Sequence, residues 1–214
     1  TSDQSPLLRM RGAFVATAIA EYFAFNGKNV LLVMDSVTRF AMAMREIGLS
    51  IGEPPTAKGY TPSVFSTLPK LLERAGNFDH SGSITGFYTT LVESDDMNDP
   101  IGDAVRSIVD GHIVLSRALA HKGHYPAIDI LQSASRVMKA VVSSDHVKLA
   151  QKLREILSVY HDAEDLINIG AYKAGANPKI DKAIKLIDPV NEFLKQKTDD
   201  KSNMNQCLRL LHQV

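Results

Sequence analysis

The sequence predicts an α/β domain, a mostly parallel sheet with flanking helices, followed by a small all-α domain. Three observations lead there. Over residues 1–140, short β-branched and apolar runs alternate with helical patterns, as in a layered α/β domain. After about residue 140 the strand-like runs stop. From 141 to 214 the apolar spacing is helical.

The elements follow in order. Gly12 to Phe25 reads as a helix, with Val15, Ile19, Tyr22 and Phe23 at helical spacing and Asn26-Gly27 as its stop. Asn29 to Asp35 holds five consecutive apolar residues closed by an acid, the pattern of a strand buried on both faces. Val37 to Ile47 is helical. Residues 48–62 carry three prolines and three glycines and read as a long loop, a class of segment that is often functional. Ser63 to Ala75 is a helix with Val64, Leu68, Leu71 and Leu72 on one side. Ser83 to Val92 reads as a strand, Asp95 to Pro100 as a turn, and Ile101 to Val109 as a helix. His112–Ser116 and Ala127–Leu131 read as short strands. Beyond them, Asp145–His161 and Glu164–Ile169 are helical, 170–177 is a glycine-rich loop, and Asn177-Pro178 opens a further helix as cap and first residue. Val190–Gln196 and Asn205–Leu211 complete the helical part.

Composition removes several function classes. Lys+Arg and Asp+Glu are both 24, so no basic excess points to nucleic acid. One cysteine, Cys207, excludes an internal disulfide and suits a reducing compartment. No apolar run is long enough for a transmembrane helix. The first residues resemble no signal or transit peptide, and the chain starts at Thr1 rather than Met, so a piece of a longer protein is expected.

Asp35 is the first candidate for chemistry. An acid at the carboxyl end of a buried strand is where open α/β sheets place ligands, though such an acid also serves to cap the next helix. Arg39 lies one helical turn further, so it can face the same side as the acid. On the residues alone Tyr125 reads as a half-buried tyrosine and Arg136 as a surface arginine at a helix start. Asp95-Asp96 reads as turn chemistry before Pro100 rather than as a metal pair. The seven histidines offer one close pair, His121 and His124, without a carboxylate at ligand spacing. No Gly-x-Ser-x-Gly supports a serine nucleophile.

Longer blocks are more specific. Leu32-Val-Met-Asp-Ser-Val-Thr-Arg39, Arg45-Glu-Ile-Gly-Leu49, Gly52-Glu-Pro-Pro-Thr56 and Gly59-Tyr-Thr-Pro-Ser-Val-Phe65 come in this order. Leu91 to Pro100, Asp110 to Arg117, His124 to Asp129, Ser133-Ala-Ser-Arg-Val-Met138 and Ile169-Gly-Ala-Tyr-Lys-Ala-Gly175 follow. Together they resemble the flagellar and type III secretion export ATPases, relatives of the rotary ATP synthase catalytic subunits. The resemblance runs from residue 1 to about 196 and leans to the flagellar branch.

That resemblance implies a fold and a set of roles. Residues 1–140 would be the back part of a RecA-like P-loop ATPase domain, and 141–214 the helical C-terminal domain. Asp35 would organise Mg²⁺ through water, with Arg39 beside it as a site arginine. Tyr125 would stack on the adenine of ATP. Arg136 would be the arginine finger completing a neighbour's site. Tyr172 and Lys173, in the 170–177 loop, would meet a stalk protein. The parent would be a hexameric ring in the cytoplasm, peripheral to the inner face of the membrane. Its partners would be the stalk, a peripheral regulator, the export gate, and export chaperones with their cargo. The family's Gly-x-x-x-x-Gly-Lys-Thr/Ser loop and its Gly-Glu-Arg glutamate do not occur in these 214 residues. The chain alone is therefore expected to be inactive, and to self-associate weakly through an open sheet edge. The alternatives are a virulence secretion ATPase, a non-catalytic nucleotide-binding ring subunit, or a stand-alone interaction domain.

Overall fold

A computed structural model describes residues 3–79, 81–92 and 99–214. The chain divides into two compact units, Thr1–Val109 and Asp110–Val214. Asp95, Asp96 and His80 lie outside the described residues. None of the helices is long and apolar enough to cross a membrane, among the described residues.

The first unit opens with α1 (Pro6–Phe25). Pro6 stands at the first helical position, so α1 starts about two turns before Gly12. The stripe that packs is Thr17, Ala20 and Ala24, all buried. Val15, Ile19, Tyr22 and Phe23, the residues that signalled the helix, are about half or more exposed. β1 (Asn29–Met34) follows, then α2 (Val37–Ser50), capped by the Ser36 hydroxyl, which accepts from the Arg39 N–H at 3.2 Å. The expected loop holds one 3₁₀ turn, Ala57–Gly59, and leads into α3 (Pro62–Leu72). A two-residue strand, β2 (Gly76–Asn77), too short to leave a sequence pattern, precedes β3 (Ser83–Tyr88). The unit ends with α4 (Pro100–Ile108), whose cap Asp99 accepts from Ile101 N and Gly102 N.

β1 and β3 pair in parallel along all six residues, and β2 joins β3 antiparallel. The core lies between α2, α3 and α4. Val37, Phe40, Ala41, Val64, Leu68, Leu71 and Ile101 are essentially inaccessible there. Gly48 is required by a close approach: a Cβ on α2 would meet the Thr61 and Glu53 side chains. Glu53 in turn accepts from Ser63 N at 2.7 Å and Ser63 Oγ at 2.5 Å, which ties the loop to the start of α3.

The second unit contains β4 (Gly111–Leu115), α5 (Arg117–His121) and β5 (Ile128–Ser135). β4 and β5 run antiparallel with an irregular register. The parallel direction expected of the sheet is thus that of β1–β3, while β5 folds straight back along β4. The link between β4 and β5 carries only the five-residue α5, short for a crossover between parallel strands. Then come α6 (Met138–Val141), α7 (Ser144–Asn168), α8 (Pro178–Leu194) and α9 (Met204–Leu211). α7 runs unbroken through Asp162 and Ala163, and α8 continues past Pro189, so each replaces two shorter expected helices. Leu153, Ile156, Ala183, Val190 and Leu211 form their shared core, with Ile130 of β5 packed against it.

Candidate functional site

Asp35 stands at the carboxyl end of β1, beside the equivalent end of β3. Thr89 joins the two ends. Its N–H donates to Met34 O at 3.0 Å, and its carbonyl accepts from Val37 N at 2.9 Å. Its hydroxyl donates to Asp35 Oδ1 at 2.7 Å. The Asp35–Ser36 peptide is cis. Asp35 and Arg39 are both exposed, on the turn that connects β1 to α2 and on its first helical turn. This is the crevice beyond parallel strand ends where α/β sheets bind ligands. The sequence carries no mark of Thr89's part, since it lies beyond the strand and 54 residues from Asp35.

A second polar cluster borders the same helix. Thr38 Oγ1 accepts from Leu91 N at 2.8 Å and sits 3.3 Å from Leu91 O. Lys58, in the left-handed region at φ 50°, reaches Asp99 Oδ1 at 3.3 Å. The Arg45 guanidinium lies 5.0 Å from the centre of the Tyr60 ring. These side chains line a recess of about 250 Å³. From the long loop, Lys58 and Tyr60 reach this recess, while residues 49–52 and 54–57 are exposed. Sequence reading missed this set because its members come from three separate segments.

Tyr125, Arg136, Tyr172 and Lys173 belong to the second unit. Tyr125 is 57% exposed, and its carbonyl accepts from Gln196 N at 2.8 Å. His124 before it is buried, and that burial, with the nearby Lys195 charge, holds its pKa below the ordinary value. Arg136 is exposed just after β5, its N–H donating to Asp110 O at 2.7 Å. Tyr125 precedes β5 and Arg136 follows it, at opposite ends of a strand that pairs along the five residues of β4, a span of about 13 Å. The structure does not bring them together.

The 170–177 loop is closely tied. The Tyr172 hydroxyl donates toward Asp181 Oδ1 at 2.9 Å and accepts from Asn177 N at 3.2 Å. The Asp181 carboxylate also accepts from Gly175 N, at 3.0 and 3.2 Å. Desolvation first, and then the Asp181 carboxylate, push the Tyr172 hydroxyl above its ordinary pKa. Tyr172 thus braces the loop against the first turn of α8, beside a groove of about 500 Å³ lined also by Ile167 and Ile184. Lys173 is exposed on the same loop.

Comparison with known proteins supplies the family. A family model described as the ATP synthase alpha/beta family, nucleotide-binding domain, matches residues 1–135. A second, the T3SS EscN ATPase C-terminal domain, matches residues 142–213. The flagellum-specific ATP synthase of Bacillus subtilis (strain 168) is 57% identical over 99% of this chain and 48% of its own length. The type 3 secretion system ATPase of Xanthomonas euvesicatoria is 53% identical over 100% of this chain and 48% of its own length. Among solved structures, the assembled ATPase EscN of the enteropathogenic E. coli type III secretion system superimposes with a TM-score of 0.95 at 54% identity. That match covers 99% of this chain and 51% of EscN. EscN in complex with its central stalk EscO matches with a TM-score of 0.89 at 52% identity, over 100% of this chain and 51% of that one. The chain spans about half the length of the curated relatives it matches. With the strand-end acid, the parallel β1–β3 pair and a family model matching residues 1–135, this chain belongs to the ATP synthase alpha/beta family.

Proposed function

We propose that the protein containing this chain is a ring ATPase that energises flagellar or type III protein export. The observation that carries the reading is the likeness of this chain, along its own length, to about half of each export ATPase, with Asp35 held by Thr89 in the crevice beyond β1 and β3. Residues 1–140 would form the later part of the ATPase domain and 141–214 the helical C-terminal domain.

An exposed single carboxylate, with one oxygen fixed by a threonine hydroxyl, fits Mg²⁺, which keeps several waters and takes few protein ligands. Asp35 would hold the ion through water, with Arg39 beside it. When bound, the ion supplies charge neutralisation on the phosphates. Thr89 keeps Asp35 in one orientation. Tyr125 offers an exposed ring for stacking on the adenine. Arg136, exposed at the other end of β5 from Tyr125, would serve the site of the next subunit, the role that its place in Ser133-Ala-Ser-Arg-Val-Met138 implies by resemblance. A ring follows from that requirement. Tyr172 and Lys173 are contacts for a stalk protein, on a loop whose hydrogen bonds hold it in a single shape. A peripheral regulator, the export gate, and chaperones with cargo would be the further partners. The location would be cytoplasmic, peripheral to the inner face of the membrane.

The test is Mg·ATP hydrolysis by the full-length protein over a concentration series. A specific rate that rises with concentration, and falls at least about a thousandfold in Arg136→Ala, is expected. A full-length protein silent at every concentration would overturn the enzyme reading and favour a non-catalytic nucleotide-binding subunit. The isolated 214-residue chain is expected to be silent beside an active parent.

A further inference from the structure

β5 is interrupted halfway. Gly111 pairs with Ser135 and His112 with Ala134, and then Val114 pairs with Asp129 and Leu115 with Ile128. Residues 130–133 therefore stand opposite the single residue Ile113, a bulge without ladder partners. Its backbone polar groups need other partners. Leu131 N and Gln132 N both donate to Asp129 Oδ1 at 3.0 Å. The Ser133 hydroxyl donates to Asp129 O at 2.5 Å and accepts from Val114 N at 2.9 Å. Gln132 O meets His112 Nε2 at 2.9 Å.

The carbonyls of Ile130, Leu131 and Ser133 all converge on one side chain, Arg154 of α7. Arg154 Nη1 donates to Ile130 O at 2.6 Å and to Ser133 O at 3.0 Å, and Nη2 donates to Leu131 O at 3.0 Å. Arg154 is half-buried, and all of these groups lie within the second unit. A guanidinium suits this arrangement because it is planar, permanently charged and carries donors in a fixed fork. An ammonium gathers its three donors at one point and lacks the planar fork that spreads them over the three carbonyls. Pairing resumes directly after the bulge, at Ala134 and Ser135, and Arg136 follows at once.

We infer that Arg154, by gathering the three carbonyls of the β5 bulge, sets the register at which Arg136 leaves the strand, and so acts as a positioning residue for that arginine. The inference rests on the reading of Arg136 as the residue that completes a neighbour's site. The influence of Arg154 passes through the backbone of 130–135.

The experiment uses the full-length ATPase with Arg136→Ala, Arg154→Met, Arg154→Lys and the Arg136→Ala/Arg154→Met pair. Ring assembly is read by sedimentation, and kcat and KM for Mg·ATP by steady-state kinetics. Arg154→Met is expected to lower kcat tenfold or more, with KM changed less than threefold and the ring intact. The double variant should be no slower than Arg136→Ala alone, because the second change acts only through the first residue. Hydrogen exchange at the amides of 131–136 should quicken while that along α7 stays as in wild type. A normal kcat in an assembled Arg154→Met ring overturns the inference, as does a double variant whose loss is the product of the two single losses. Should Arg154→Met fail to assemble, Arg154→Lys decides. A kcat at least threefold below wild type supports the three-carbonyl clamp, and a smaller loss removes it. A fully active Arg136→Ala would instead sink the arginine-finger reading, which keeps the two failures apart.

Discussion

Arg74 and Glu21 form a two-bond pair that fastens α1 to the residues just after α3. Arg74 Nε donates to Glu21 Oε1 at 2.6 Å, and Nη2 to Oε2 at 2.5 Å. Their side chains are 27% and 23% exposed respectively. The hydrogen bond from Arg74 holds the Glu21 carboxyl below its ordinary pKa against the opposing effect of burial, and the same bond raises Arg74. Hydrogen bonds to charged groups are worth about 1.5–3 kcal/mol when removed. Fully exposed pairs contribute about 0.2–1 kcal/mol. Two short bonds in a quarter-exposed setting lie between these, so a coupling of about 1–2 kcal/mol is expected at pH 7. Glu21→Gln, Arg74→Gln and the double variant close the cycle. The chain has no tryptophan, so urea-dependent hydrogen exchange in α1 is the suitable probe, and it reads the first unit separately. The sign with pH is defined. Because the folded pKa of Glu21 is lowered from 4.5, the unfolded chain takes up the proton first, and stability present above that value is lost as pH falls through the folded pKa. A coupling below about 0.5 kcal/mol at pH 7 would refute the reasoning, and so would a coupling undiminished at pH 3.

Two further outcomes are expected. His124 is only 7% exposed and its pKa is held below 6.5 by burial and by Lys195, so the unfolded chain binds the proton first and stability falls as pH drops below that value. The unfolding midpoint of the second unit should decline between pH 7.5 and 5.5, and His124→Gln should flatten the decline; an unchanged slope in that variant would assign it to other groups. Thr38→Val keeps the volume of a buried side chain but leaves Leu91 N without its 2.8 Å bond, costing about 1–3 kcal/mol. A lowered urea midpoint at constant m-value would show it, and a wild-type midpoint would mean that Leu91 N finds another partner.

The unfolding of the two units should also be probed separately because their cores have different origins. The first is built on aliphatic residues of α2 and α3, such as Leu68 and Leu71, that share one helical side. The second depends on long helices closing over one another, with Val190 and Leu153 at the centre. Both kinds of core leave a periodic trace in the sequence, which explains why their helices could be placed without a structure.

Much of the architecture was determined by the sequence alone. The apolar run ending at Asp35, Asn177-Pro178 before α8, and the change to helical spacing after about residue 140 are local signals, whereas the cap of α2 is Ser36 and not the acid before it. They depend on covalent geometry and side-chain period, not on distant partners. The collinear blocks likewise marked the family, and the positions of Asp35, Arg39, Tyr125 and Arg136 at element ends follow from them. Other features were decided only in three dimensions. Which stripe of α1 packs depends on what meets it, so the small residues Thr17, Ala20 and Ala24 are buried while Val15 and Tyr22 are exposed. The antiparallel return of β5 along β4 and the bulge at 130–133 depend on pairing register, which alternation cannot encode. Thr89 on Asp35, Lys58 on Asp99 and Arg154 on three carbonyls join residues 54, 41 and 21 to 24 positions apart. A single sequence carries no record of such pairs, because each side chain is chemically ordinary until folding supplies its partner.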